Sequence, residues 1–378
     1  MKRRFVEQLH ERFKAEFPLI QVVLGPRQVG KTTGVVQFLE AYPHPHHYAN
    51  ADAVLSGTHE WVIEQWQTAK RKGAGTVLAI DEIQKIPQWA EMIKQLWDQQ
   101  VHQKDKIKLL LLGSSSLSLQ QGLTESLAGR LEMIPVYHWD YQESQQLAGL
   151  SLQDYLQYGG YPKSYEWIQD EDRWHAYVMH SIIDRVIDKD ILHYAQVKHP
   201  ALFRQAFEIV CCYPAQEISY RKLLGQLQDK GNTDLIKHYL ALFEGAFLIK
   251  TLQKYHNQAF KVKSSSPKVL LMAPCFYWLF AAKAEKQPFV FENTVGAKLL
   301  TIANKLFYWR EGNHEVDFVM QWQKRLFAIE VKSGKKRQAG GLQAFTARFP
   351  DAVPIIISPD NYEDFVTDPG AFLKSCWQ

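Results

Sequence analysis

The sequence has few cysteines, no long uninterrupted apolar stretch and little excess charge of either sign. Its 378 residues include four cysteines, whose spacing matches no zinc-binding pattern and which are too few for a disulfide framework. A reducing compartment is the simplest expectation. The basic N-terminus is followed by charged residues rather than by the apolar region of a signal peptide, and no apolar run is long enough to span a bilayer. We therefore expect a soluble, cytoplasmic protein with no membrane partner.

The bulk composition narrows the class of protein only a little. The formal net charge of +4 permits nucleic-acid binding but does not indicate it. Apolar residues make up 46% and charged residues 22%, a balance typical of globular proteins with a sizeable core. The sequence contains no internal repeat and no low-complexity tract, and its length predicts two or three domains.

Strands and helices alternate over the first 140 residues or so. Apolar stretches at residues 19–24, 77–80 and 108–112 predict three buried strands, and residues 30–41 and 90–100 have helical patterns. This alternation is typical of a parallel sheet with helices on both faces. The sequence therefore begins with a predicted α/β domain.

A glycine-rich loop lies between the first predicted strand and the helix that follows it. The loop and the next residue are Gly25, Pro26, Arg27, Gln28, Val29, Gly30, Lys31, Thr32 and Thr33. The first eight fit G-x-x-x-x-G-K-[ST] at every fixed position. In such a loop backbone amides point at phosphate and the helix N-terminus favours negative charge. We expect Lys31 to reach the β- and γ-phosphates of ATP and the Thr32 hydroxyl to bind Mg²⁺.

Two carboxylates at the end of the second buried strand extend this prediction from binding to hydrolysis. The stretch VLAIDE is an apolar strand that ends in Asp81 and Glu82. Asp81 would hold the Mg²⁺ shell, and Glu82 would polarise the water that attacks the γ-phosphate. The alternative, a solvated strand end, fits poorly beside the loop.

Two other residues are candidates for the same site. Ser114 follows the strand at 108–112 and is a candidate sensor of the γ-phosphate, with a plain serine-rich turn as an equal alternative. Arg130 follows a short predicted helix and is a candidate for stabilising transition-state charge, in cis or from a neighbouring subunit. A surface salt bridge is the alternative reading of Arg130.

At these residues the chain resembles prokaryotic AAA+ ATPases that carry a second, C-terminal domain of unknown function. The matching segments are, in order, GPRQVGKTT, LAIDEIQKIPQW, LLGSSSL, SLAGR, YLQYGGYPKSY, ISYRKLLGQL, FENTVGAKLL and EVDFVM with IEVKSGK. The resemblance implies an AAA+-like P-loop ATPase domain, a winged-helix region and an α/β domain of restriction-endonuclease-like character. We place them at residues 1–145, 146–275 and 276–378.

The chain departs from the pattern of these ATPases at two places. Leu112 stands where the sensor strand usually ends in threonine, which leaves Ser114 as the candidate for sensing. No acidic residue occurs at 270–274, after Pro267 and Lys268, where the pattern usually has one.

The middle region shows the order helix, turn, helix, β-ribbon, which is typical of a winged helix. The helices are predicted at 217–228 and 234–243 and the ribbon strands at 247–255 and 259–262. The second helix of such a module can enter the major groove of DNA. The basic residues available for phosphate contacts are Lys237, His238, Lys250, Lys254, Lys261 and Lys263. Many winged helices only pack between domains, so the sequence leaves open whether DNA, a protein or a second copy of the chain is the partner.

The C-terminal strands carry a candidate second site. Asp317 lies in one predicted strand, and the stretch IEVK in the next puts Glu330 and Lys332 on one face, with Glu292 available from a predicted helix. The constellation resembles a restriction-endonuclease-type site, which implies carboxylates that hold Mg²⁺ and a lysine that orients water. The alternative is a buried Asp317–Lys332 ion pair on an inactive domain.

Three functions are compatible with this sequence. The first is an ATP-driven switch that acts on a bound macromolecule, and Glu82 favours it because it predicts turnover. The second is a metal-dependent nuclease whose second site is controlled by the ATPase domain. The third is a scaffold that binds ATP but hydrolyses it poorly.

Overall fold

The computed structural model describes residues 1, 3–53, 58–113, 119, 126–192, 195, 197–227, 232–256, 266–281, 287–303, 305–334 and 340–377. The chain divides into two compact units. The first comprises Met1–Tyr137 and His180–Gln196, and the second comprises His138–Met179 and Val197–Gln378. The chain therefore leaves the first unit and returns to it for one short segment. In the part of the chain that the structure describes, no helix has the length and apolarity needed to cross a membrane.

The first unit is built on an all-parallel sheet. Its strands are β1 (Ile20–Leu24), β2 (His46–Asn50), β3 (Val77–Asp81), β4 (Lys108–Gly113) and β5 (Leu131–Pro135). They lie in the order β2-β3-β4-β1-β5. Every residue of β1, β3 and β4 is buried, as expected for a sheet covered on both faces. The predicted parallel α/β sheet is confirmed.

Four helices of the first unit cover this sheet. They are α1 (Arg4–Arg12), α2 (Lys31–Ala41), α3 (His59–Arg71) and α4 (Trp89–Gln100). All of the strands point the same way, so their carboxyl ends share one edge of the sheet. The loop after β1 and the carboxylates at the end of β3 therefore reach the same edge, with only β4 between the two strands.

The second unit contains most of the helices. They are α5 (Tyr141–Ala148), α6 (Leu152–Tyr158), α7 (Glu171–Ala176), α8 (Pro200–Cys211), α9 (Tyr220–Gln226), α10 (Thr233–Gly245), α11 (Cys275–Phe280), α12 (Gln287–Leu299), α13 (Gly340–Arg348), α14 (Pro359–Thr367) and α15 (Pro369–Ser375). Two π-helical stretches lie between α7 and α8. Tyr177–Ile183 spans the junction between the two units, and Val186–Leu192 belongs to the first unit. Capping boxes at Asp140 and Ser151 begin α5 and α6, because each side chain accepts a hydrogen bond from the backbone three residues on.

The second unit has one mixed sheet. Its strands are β6 (Gln216–Glu217), β7 (Ile249–Lys254), β8 (Lys268–Leu271), β9 (Leu306–Glu311), β10 (His314–Trp322), β11 (Arg325–Val331) and β12 (Val353–Ile357). The order is β12-β11-β10-β9-β7-β8-β6, with parallel pairs only at β11–β12 and β7–β9 among these strands. The β7–β9 pair joins strands from both sides of residues 275–276, where the sequence predicts a domain boundary.

The segment from α8 to β8 has the order helix, strand, helix, helix, strand, strand. The helix predicted at 217–228 is shorter than expected. Strand β6 ends at Glu217, and Ser219 caps α9, which begins at Tyr220. Asn232 caps α10 by accepting hydrogen bonds from two backbone amides. The second predicted ribbon strand, at 259–262, falls outside the described residues, and β7 pairs with β8.

Candidate functional site

The backbone of the loop at 25–32 needs both of the glycines in its motif. Gly30 is the N-cap of α2 and has a φ of 87°, in the left-handed region that favours glycine. Gly25 packs so closely against Val136 that a Cβ atom there would lie 2.1 Å from the Val136 carbonyl oxygen. One glycine is therefore required by conformation and the other by space.

Lys31 lies inside this loop as the first residue of α2. Only 7% of it is exposed, and its ammonium donates hydrogen bonds to the carbonyl oxygens of Gly25 at 3.0 Å and Pro26 at 2.6 Å. Burial lowers the pKa of Lys31 to about 8, while the negative charges of Glu82 and Asp81 oppose that shift. A buried ammonium held by neutral carbonyls gains compensating charge when phosphate replaces them.

Thr32 and Asp81 connect the loop to the end of β3. The Thr32 hydroxyl donates to Asp81 Oδ2 at 2.7 Å, and the Tyr48 hydroxyl donates to the same oxygen at 2.9 Å. The other Asp81 oxygen accepts from the backbone amide of Glu82 at 2.9 Å. Beside a bound nucleotide, Mg²⁺ is typically coordinated by a hydroxyl and a carboxylate. Thr32 and Asp81 supply these two groups, so the residues present fit that ion.

Glu82 follows Asp81 through an unusual backbone turn. Its φ of 54° is in the left-handed region, which non-glycine residues occupy rarely. The side-chain amide of Gln84 donates to Glu82 Oε2. Gln84 in turn packs against Gly113 at the end of β4, where a Cβ atom would lie 2.6 Å from its Oε1. The turn therefore keeps both carboxylates at the edge of the sheet that carries the loop.

Arg27, at the third position of the loop, forms a bidentate ion pair with Asp190. Its Nε and Nη2 atoms donate to the two carboxylate oxygens, each at 2.6 Å. Asp190 is only 5% exposed and lies in the π-helical stretch Val186–Leu192 of the first unit. Burial raises the pKa of Asp190, and the hydrogen bonds from Arg27 oppose that shift. Gln28 adds a second link through the Ser181 carbonyl at 3.1 Å.

Several residues that support the loop were missed by sequence reasoning. Arg3 is buried and donates to the carbonyl oxygens of Val29 at 2.8 Å and Tyr137 at 3.1 Å. Tyr48 and Asp190 were also not predicted. Arg3 and Asp190 reach the loop, and Tyr48 reaches Asp81, from distant parts of the sequence with no motif around them, so only the folded chain reveals them.

The other predicted residues of this site have different outcomes. Arg130 donates to both oxygens of Asp98, at 2.7 and 2.9 Å, and its carbonyl accepts from Ile20 at the start of β1. It therefore lies at the opposite edge of the sheet, roughly 13 Å along the strand from the loop. The structure does not bring Arg130 to the phosphate loop in cis, and its role from a neighbouring subunit stays a prediction. Thr33 is an exposed residue of α2, and Ser114 falls outside the described residues.

The four residues predicted for the second site lie together in the second unit. Glu292, Asp317, Glu330 and Lys332 line one cavity of about 680 Å³. Asp317 on β10 accepts a hydrogen bond from the Val331 amide on β11 at 2.7 Å. Lys332 pairs with Glu330 and not with Asp317, so the alternative ion pair predicted from the sequence does not form here.

The centre of this cluster is a lysine that was not predicted as a site residue. Lys268 is 1% exposed, and its ammonium lies 2.5 Å from Glu292, 3.5 Å from Glu315 and 3.7 Å from Asp317. Burial lowers the pKa of Lys268, but the three carboxylates raise it by more, so the pKa lies above its usual value. Among the described residues, no group of three or more histidine, cysteine or acidic side chains is arranged to hold a metal. Lys268 occupies the space between these three carboxylates, and Mg²⁺ binding at this second site stays a prediction.

Comparison with known protein families bears on the first site directly. Residues 18–145 match the family model described as an AAA domain. This part of the chain is an AAA domain. Residues 149–276 and 288–368 match two further models, each described as a domain of unknown function. The AAA domain contains the phosphate loop and both carboxylates, which is what the P-loop motif predicts.

Two proteins of mycobacteria are similar over most of the chain. The uncharacterized proteins Mb2031c of Mycobacterium bovis and Rv2008c of Mycobacterium tuberculosis are each 25% identical over 333 residues, which cover 83% of this chain and 70% of theirs.

Solved structures show a more distant likeness. The Thermotoga maritima RuvB Holliday junction branch migration motor is 13% identical with a TM-score of 0.34, and the match covers 70% of this chain and 96% of that one. The Aeropyrum pernix ORC1 protein in complex with DNA is 11% identical with a TM-score of 0.32, covering 73% and 90%. At these TM-scores the likeness carries no inference about function.

Proposed function

We propose that the AAA domain binds and hydrolyses ATP with Mg²⁺, and that the chain uses this cycle as a switch on a macromolecular partner. The observation that supports the proposal most strongly is the 2.7 Å hydrogen bond between Thr32 and Asp81. It joins the start of the helix after the phosphate loop to the acidic end of β3, beside the buried ammonium of Lys31. A nucleotide with its cation requires these groups at one place.

Each group has a distinct role in this proposal. The loop amides and the Lys31 ammonium bind the phosphates, and Lys31 exchanges the carbonyls of Gly25 and Pro26 for phosphate oxygens. Thr32 and Asp81 hold the Mg²⁺, which neutralises phosphate charge when it is bound. Tyr48 orients Asp81 through the oxygen that also accepts from Thr32.

The presence of Glu82 supports ATP hydrolysis rather than ATP binding alone. A scaffold that only binds ATP needs no carboxylate after the magnesium ligand, whereas hydrolysis needs a group that orients water and accepts its proton. The left-handed turn at Glu82 and the hydrogen bond from Gln84 hold the carboxylate beside Asp81 at a cost in backbone strain. We therefore propose Glu82 as the residue that polarises the attacking water.

Duplex DNA is the partner class that the segment from α8 to β8 supports best. Its helix and strand order is that of a winged helix, and Arg221, Lys222, Lys237 and His238 are exposed on α9 and α10. Lys237 pairs with Asp234 at 2.9 Å, but an exposed pair of this kind is weak, so a phosphate can replace the aspartate. Lys261 and Lys263 fall outside the described residues, and Lys250 pairs with Glu244.

ATP turnover measured with and without duplex DNA tests this function. We expect hydrolysis that requires Mg²⁺, that is lost in Lys31→Ala, and that changes when DNA is added. DNA affinity should fall steeply with salt, because each neutralised phosphate releases counterions. The charge-reversal variant Arg221→Glu should weaken DNA binding, whereas Lys14→Glu at an exposed position of the first unit should not. No hydrolysis under any condition contradicts the ATPase, and no binding at low salt removes DNA as the partner.

A further inference from the structure

The ion pair between Arg27 and Asp190 joins the phosphate loop to a segment that returns from much later in the chain. The two residues are 163 positions apart, and both guanidinium contacts are 2.6 Å long. The Arg27 side chain is about a third exposed, whereas that of Asp190 is buried. Arg27 therefore lies at the rim of the loop, where a ligand can reach it, and Asp190 lies beneath that rim.

The charges that act on this pair include those of Glu82 and Lys31. The negative charge of Glu82, the residue proposed to activate water, acts on Arg27 and on Asp190. The positive charge of Arg27 lowers the pKa of Lys31, and the negative charge of Asp190 raises it. Since these interactions weaken with distance, all four groups belong to one charged cluster. The γ-phosphate has to enter that cluster if Lys31 and Glu82 act as proposed.

We propose that Arg27 binds the γ-phosphate of ATP and that Asp190 is the partner it leaves when it does so. This inference rests on the proposed ATPase function. A guanidinium forms bidentate hydrogen bonds with phosphate as readily as with carboxylate, and phosphate carries the larger charge. ADP has no γ-phosphate, so it leaves the Arg27–Asp190 pair in place. Arg27 thereby distinguishes the triphosphate from the diphosphate.

The exchange has a consequence for the segment that carries Asp190. A carboxylate that is 5% exposed is costly to leave without its cation, so release of Arg27 destabilises the stretch Val186–Leu192. That stretch is π-helical, a winding that is rare and that is frequently found at functional sites. The chain continues into the second unit on both sides of His180–Gln196. A conformational change in this segment therefore affects residues that are covalently connected to the second unit on both sides.

The sharpest test compares two variants that both lack the Asp190 charge. Asp190→Asn frees Arg27 from its competitor, and Asp190→Asn with Arg27→Gln removes the phosphate contact as well. The ligands are the non-hydrolysable analogue adenylyl imidodiphosphate and ADP, each with Mg²⁺, measured by titration calorimetry. We expect Asp190→Asn to bind the triphosphate analogue more tightly than the wild type does. The double variant should bind it about ten- to a hundredfold more weakly than Asp190→Asn does, the range for hydrogen bonds to charged groups. ADP affinity should stay within about threefold throughout, because the β-phosphate is held by the loop amides and Lys31.

A second measurement needs no variant and covers the case in which Asp190→Asn fails to fold. In the wild-type protein, hydrogen exchange of the backbone amides at 186–192 should be faster with the triphosphate analogue than with ADP. If the analogue and ADP affinities change in parallel, or exchange in this segment is the same with both ligands, Arg27–Asp190 is only a structural pair. A wild-type protein that binds neither nucleotide contradicts the proposed function itself, which separates that failure from this one.

Discussion

Thr32 and Asp81 are 49 positions apart in the sequence, and their side chains meet at 2.7 Å on the edge of the sheet that carries the phosphate loop. Asp81 also accepts from the Tyr48 hydroxyl and the Glu82 amide. The aspartate is therefore held by three donors before any cation arrives. This arrangement means that the proposed magnesium ligands are oriented by the fold before a nucleotide binds, and it defines what single substitutions should do.

Replacement of Lys31 by alanine should abolish ATP binding and leave the fold intact. The ammonium supplies the buried positive charge of the loop, and its present partners are two carbonyls that the rest of the loop also holds in place. Titration calorimetry with ATP and a thermal unfolding curve measure the two effects. Lys14→Ala is the matched control, because Lys14 is exposed and pairs only with its neighbour Glu11 among the described contacts. Unchanged ATP affinity in Lys31→Ala would contradict the site.

ATP affinity should depend on pH in the alkaline range. Burial lowers the pKa of Lys31 to about 8 in the protein without nucleotide, and bound phosphate raises it again by adding negative charge. Below pH 8 the ammonium is already charged, so affinity is constant. Above pH 8 binding must take up a proton, and affinity should fall by up to about tenfold per pH unit. Calorimetry in buffers of different ionisation enthalpy measures the proton uptake, and its absence at pH 9 would show that Lys31 does not change its charge.

Substitution of Glu82 by glutamine should separate binding from hydrolysis. The amide keeps the size of the side chain but cannot accept a proton, so turnover should fall by about two or more powers of ten while ATP still binds. Steady-state phosphate release and nucleotide binding give the two quantities. Glu64→Gln, at an exposed position of α3, should leave both unchanged. Normal turnover in Glu82→Gln would mean that another group activates the attacking water.

The hydroxyl of Tyr48 should matter for magnesium more than for nucleotide. It orients Asp81 from β2, and loss of such a supporting hydrogen bond commonly weakens metal binding by about tenfold or more. Tyr48→Phe should therefore raise the Mg²⁺ concentration needed for half-maximal turnover by roughly that factor. Tyr42→Phe is the control, because the Tyr42 hydroxyl has no hydrogen-bond partner within the described part of the chain. Equal magnesium requirements in the two variants would rule out this role.

Lys268 should stabilise the second unit. Lys268→Met leaves Glu292, Glu315 and Asp317 without the cation that lies among them, and loss of one partner from a buried ion pair costs about 3–5 kcal/mol. Lys250→Met, which removes a half-exposed pair with Glu244, should cost less than about 1 kcal/mol. Chemical denaturation measures both. A small effect at Lys268 would mean that the second unit does not depend on this cation for its stability.

The same cluster leads to an expectation about cleavage. Because Lys268 occupies the position between the carboxylates, the wild-type protein and Asp317→Ala should both leave DNA and RNA uncut in the presence of Mg²⁺ or Mn²⁺. Cleavage by the wild type that disappears in Asp317→Ala would restore the nuclease function predicted from the sequence.

The sequence by itself determined the AAA site, and the reason is topological. A motif at the end of one buried strand and two carboxylates at the end of another lie at the same edge when the strands are parallel. The strand order, with only β4 between β1 and β3, then brings them together. The same reasoning brought Asp317, Glu330 and Lys332 together, because neighbouring strands place alternate side chains on a common face.

Only the tertiary structure decided which distant partners these residues have. Arg27 meets Asp190 across 163 positions, Lys268 enters the carboxylate cluster from β8, and Arg130 lies at the far edge of the sheet beside Asp98. A charge in the sequence has many possible counterions, and neither spacing nor periodicity ranks them. Which one it meets depends on the order of strands in a sheet and on where the chain returns, and packing of the whole core sets both.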